Sequence, residues 1–128
     1  MTNTTTPNEV ETLFIRQYIM LPFLTTMVEK SIRDIKADPT GVLDELFIRT
    51  SQHIINEIQA DLTEVRKALR SLNIRVWDDP KNDGALHYRY LCRGREYELA
   101  IPRVIARTEL SELLGKYTHR AEKALSQR

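Results

Sequence analysis

Three histidines, one cysteine and a run of aspartates are the side chains of this sequence that ordinarily do chemistry. His53, His87 and His119 stand more than thirty residues apart from one another. None has a second ligand at helical i, i+4 spacing or a C-x-x-C beside it, so a zinc site has no support. "DDPKNDG" offers Asp78, Asp79 and Asp83. A calcium loop needs oxygen ligands at alternate positions and a later glutamate, but Lys81 occupies a ligand place and Ala85 to Arg89 brings no glutamate. These acids read as turn-formers. Cys92 lies beside Arg93 and Arg95, which lower a thiol pKa where the sulfur meets water. Its place near a turn reads instead as a small residue at a strand end. Ser51 and His53 are two apart on one helix and so do not face each other. There is no Walker A loop and no G-x-G-x-x-G. The expectation is no catalytic residue, no cofactor and no metal.

Arginine is the remaining chemical signal. The formal net charge is +1, which gives no global pull toward nucleic acid or membrane. The halves differ, however. Residues 1–84 hold ten Lys/Arg against thirteen Asp/Glu, and residues 85–128 hold nine against five. Arg93, Arg95, Arg103 and Arg107 have no obvious neutralising neighbour and form a candidate basic rim.

What positions these residues is a sequence of helices and strands. One domain spans 1–128, long enough for a real core. Residues 1–6 form a polar, frayed tail. "TPNE" carries a cap at Thr6, proline at the first helical position, and Glu9 three residues after the cap. The first helix then runs to about Lys36, kinked or broken at Pro22. Asp38 caps a second helix from Pro39 to about Leu72, with Phe47, Ile54, Ile58, Leu62, Val65, Leu69 and Leu72 on one face. The short connection folds the two antiparallel over 7–72. A helix of about 50 Å is long for so small a domain, which points to a coiled-coil hairpin or a partner alongside.

"NIRVW" opens a β-meander over 73–101, and a helix over 102–128 closes the chain. A turn at Arg93-Gly94 pairs Tyr90 with Tyr97 and Arg89 with Glu98. Leu86, Tyr88, Tyr90, Tyr97, Leu99 and Ile101 then share one face. A slip by one residue would spoil both faces. "RVIAR" is left between helix and strand, with Thr108 or Ser111 as the cap of the last helix. The fold class is α+β: a long antiparallel helical hairpin, a three-stranded antiparallel meander, and a C-terminal helix packed on the sheet.

The first helix is apolar on more than one side, and such a helix must be covered on more than one side. Phe14, Tyr18, Met20, Leu21, Phe23, Leu24 and Met27 are therefore the candidate interface. The function this favours is non-enzymatic: an interaction or regulatory protein acting through helical surfaces, as a homodimer or with a protein partner. The alternative is nucleic-acid binding. "DLTEVRKALRSLNIRV" followed by a hairpin resembles a winged-helix element over about residues 50–100. That resemblance implies DNA contacts by Arg66, Lys67, Arg70, Arg93 and Arg95. It departs from the pattern where "IINEIQADLTEVRK" has no Gly or Pro to break the helix. The most apolar stretch contains Arg16, Gln17 and Pro22 and is too short to span a membrane. A single cysteine and no visible signal peptide place the chain in the cytoplasm.

Overall fold

A computed structural model describes residues 6–126. Of the expected tail over residues 1–6, residues 1–5 lie outside the described residues, as do residues 127–128. Helix α1 spans Glu9–Ala37. Its capping box sits two residues later than the sequence pattern at Thr6 indicates. The Glu11 N–H donates to Asn8 Oδ1 at 2.8 Å, and the Asn8 N–H donates to Glu11 Oε1 at 2.9 Å. Thr-x-x-Glu and Asn-x-x-Glu both satisfy the box, and the second also places Glu11 where a distant arginine reaches it. Pro22 lies within α1 and does not end it.

Helix α2 spans Asp44–Ser71. It begins five residues after Pro39, because the Asp44 carboxylate accepts the N–H groups of Thr40 and Gly41 and folds the loop before the helix. Asp38 caps the end of α1 instead of the start of α2. α2 runs unbroken, so the sharp turn of a helix-turn-helix is missing. It stops in a Schellman motif. Asn73 takes a left-handed φ of 58°, its N–H donates to Arg70 C=O, and the Ile74 N–H donates to Leu69 C=O at 2.9 Å. Asn73 therefore belongs to the helix cap, and strand β1 is Arg75–Asp78, not 73–77.

Strands β2 (Leu86–Cys92) and β3 (Arg95–Ile101) complete an antiparallel sheet in the order β1-β2-β3. The register is the one the sequence pattern demands, with Tyr90 opposite Tyr97, Arg89 opposite Glu98 and Leu86 opposite Ile101. The tyrosine rings stack at 5.1 Å. At the turn both Arg93 (φ 51°) and Gly94 (φ 79°) are left-handed, the geometry whose twist matches the strands.

Helix α3 (Arg103–Ser126) starts straight after Pro102, so "RVIAR" is helical and both Thr108 and Ser111 lie inside the helix. α3 packs mainly on α1 and α2; its N-terminal half, through Ala106, Leu110 and Leu113, joins the core under the strands. One part of the core packs Ile15, Ile19 and Met20 of α1 with Val65, Leu69, Ile74, Cys92 and Ile101. The other packs Leu21, Leu24, Val28 and Ile32 with Ile54, Ile58, Leu62, Tyr117 and Ala121. The several apolar sides of α1 thus meet the sheet, α2 and α3 in turn. No helix among the described residues is long and apolar enough to cross a membrane.

Candidate functional site

The chemically capable side chains are dispersed and mostly paired within the fold. His53 Nε2 is buried 3.5 Å from Glu57 one turn on in α2, without a hydrogen bond. His87 meets Asp83 at 2.8 Å, while His119 is exposed on α3. Asp83 also accepts the Ala85 N–H, and that bond, with His87, holds its carboxyl below the usual range. Asp79 receives Arg89, whose guanidinium also reaches Glu96 and Glu98 at 2.6 Å each. Among the described residues no group of three His, Cys, Asp or Glu stands together to hold a metal ion. Cys92 is fully buried, and burial pushes its thiol pKa up against the opposing pull of Arg93.

The four arginines of the basic rim divide. Arg93 donates to both oxygens of Glu11, at 2.9 and 2.8 Å, and to the carbonyl of Thr6. Glu11 is buried, and the Arg93 guanidinium together with the Asn8 N–H lowers its pKa from 4.5 to about 2. Arginine at a left-handed turn position costs about 1 kcal/mol relative to glycine. Its side chain is what ties the hairpin tip to the start of α1. Arg103 donates to the Gly84 carbonyl. Arg95 and Arg107 are exposed, and neither reaches a carboxylate among the described residues. All four are exposed; Arg93 and Arg103 are tied to other parts of the fold, and Arg95 and Arg107 are not.

The seven α1 residues also divide. Met20, Leu21 and Leu24 are sealed inside the chain's own core, with no surface left for a partner. Phe14 and Tyr18 are half-buried against the sheet. Phe23 and Met27 remain open to solvent. What covers the inner residues is α3, whose Tyr117 and Ala121 close over the helix pair. The Tyr117 hydroxyl donates to Asp61 at 2.6 Å, and Arg120 reaches the same carboxylate at 2.9 Å and lies over the Tyr117 ring. Burial and Asp61 push the Tyr117 pKa well up. Arg16 pairs with Glu109 between α1 and α3.

A run of exposed apolar side chains lies where α1 turns into α2. Val42 is 101% exposed, Leu43 69%, Leu46 51% and Phe47 50%. Beside them is a concavity of about 420 Å³ walled by Val28, Leu46, Phe47, Ile54, Leu114 and Thr118, from all three helices. Leu43, Leu46, Phe47, Thr50 and Ile54 follow helical spacing, so the apolar stripe of α2 continues past the point where α1 and α3 cover it. Phe47 was visible in the sequence as part of that stripe. Its exposure was not, because periodicity marks a face without saying where its cover ends. Charge at this end is balanced, with four cations and five carboxylates between Glu29 and Arg49. Some are already paired, Lys30 with Asp34 and Arg49 with Glu45.

The sequence matches the YhjD protein family over residues 6–122, and the chain belongs to that family. No curated protein and no solved structure matches it.

Proposed function

We propose that this member of the YhjD family is a non-enzymatic interaction protein that pairs with a second copy of itself through the open end of its helical hairpin. One observation carries the reading. The same small surface holds an apolar projection, Val42, and beside it an apolar hollow, walled by Val28, Leu43, Phe47, Ile54 and Leu114. In a two-fold dimer every contact is made twice, so a patch with both a knob and a hole is complementary to itself. The near-neutral rim sets up no repulsion between copies. A patch of a few side chains buries less than an obligate interface does, so the dimer is a reversible one.

Sedimentation velocity tests this. The wild-type protein should move from monomer to dimer between about 1 and 100 µM. Leu46→Glu, at an exposed position that leaves the core intact, should stay monomeric with an unchanged far-UV circular dichroism spectrum. A wild-type monomer throughout that range, or a dimer that Leu46→Glu leaves unaltered, would overturn the reading.

A further inference from the structure

Strand β1 pairs on one side only. The Asp79 N–H donates to the His87 carbonyl at 2.9 Å, which fixes residues 79 and 87 as a hydrogen-bonded pair of the antiparallel ladder. Such pairs recur at every second residue, so Arg75 and Trp77 turn their main-chain groups toward β2 while Val76 and Asp78 turn theirs outward. Among the described residues, no main-chain group bonds the outward N–H and C=O of either.

A trough runs along this open edge. Two concavities of about 390 and 400 Å³ share Tyr18, Arg66 and Val76 as lining, and so lie end to end beside β1 and the flanking turns of α1 and α2. One end is aromatic, with Phe23, Trp77 and Tyr88. The other is basic, with Arg70 and Arg75, and Arg66 stands where the two meet. All three arginines are exposed, and none reaches a carboxylate among the described residues.

We propose that this trough binds an extended acidic peptide, which adds to β1 as a further strand. Main-chain bonds to Val76 and Asp78 hold its backbone, an apolar side chain enters the aromatic end, and its carboxylates meet the arginines. Outward N–H and C=O groups in alternation match another peptide backbone. A single-stranded nucleic acid brings no backbone donors to match the outward carbonyls, whereas a peptide strand brings both donors and acceptors. The surface is separate from the end of the helical hairpin and does not depend on self-association there.

Trp77 is the only tryptophan and stands on the trough wall, so it reports binding directly. The full chain is titrated with the peptide Glu-Val-Glu-Phe-Glu-Val-Glu, and Trp77 emission and its quenching by acrylamide are followed. A saturable blue shift with reduced quenching is expected, and the peptide with lysine at every glutamate should give none. The pair Arg70→Glu and Arg75→Glu should weaken binding by about tenfold or more. Asp78→Pro removes one outward N–H at an exposed edge position that tolerates proline, and should weaken binding several-fold with circular dichroism unchanged. Leu46→Glu should bind as the wild type does. The proposal is overturned if Trp77 does not respond at millimolar peptide, if the lysine peptide binds equally, or if an oligothymidylate of similar length binds more tightly through the same arginines.

Discussion

Replacing Glu11 by Gln isolates the contact that ties the hairpin tip to α1. Glutamine keeps an oxygen for the Asn8 N–H, so the capping box survives and only the charge is lost. In the folded chain the carboxyl pKa is about 2, against 4.5 when unperturbed. At about 1.4 kcal/mol per unit that difference would be worth up to ~3 kcal/mol. Arg93 is 37% exposed, so water screens the pair. The expected loss is therefore about 1–2 kcal/mol at pH 7, a fall of roughly 1 M in the urea midpoint. The sign follows from a folded pKa below the unfolded one. The stabilisation is complete above pH 4.5 and fades as pH falls toward 2, so at pH 3 about 40% remains. Urea unfolding followed by Trp77 emission and circular dichroism, at pH 7 and pH 3, measures both. Adding Arg93→Met to Glu11→Gln should then cost little more than Glu11→Gln alone. Equal midpoints at pH 7, or a gap that does not shrink by pH 3, would refute the reasoning.

Cys92 should react with a thiol reagent far more slowly than a free thiol at pH 8, and quickly once urea unfolds the chain, because the sulfur is fully buried and its pKa is raised. Prompt native-state labelling, read by mass spectrometry, would contradict that burial. Asn73→Ala should lower stability by about 1 kcal/mol and Asn73→Gly should not, since alanine is penalised at the left-handed cap position. Thermal unfolding of the two variants checks the order.

The hairpin was legible because two constraints met in one register. Tyr90 stacks on Tyr97 and Arg89 meets Glu98 only when Arg93-Gly94 forms the turn. The helix ends were less legible, since Thr6 and Asn8 both offer a cap, and Asn73 suits either a strand start or a left-handed stop. Tertiary contacts decided between them: Glu11 is held by an arginine 82 residues away, which no local pattern reveals. For the same reason α1 read as needing a partner. Its surplus apolar surface was real, but α3 supplies the cover for Leu21 and Leu24. Of the α1 candidates only Phe23 and Met27 stay open, and Val42, Leu43, Leu46 and Phe47, which they do not include, add a further exposed apolar run.

The most direct test of pairing at the hairpin end is a photo-crosslink from position 42. A benzoylphenylalanine there, in a mixture of ¹⁵N-labelled and unlabelled protein at 100 µM, should join two different molecules. If the projection of one copy enters the hollow of the other, the attachment falls between Ser51 and Ile54 or at Leu114 and Thr118. Absence of a mixed-isotope product, or attachment confined to β1 and its trough, would contradict it.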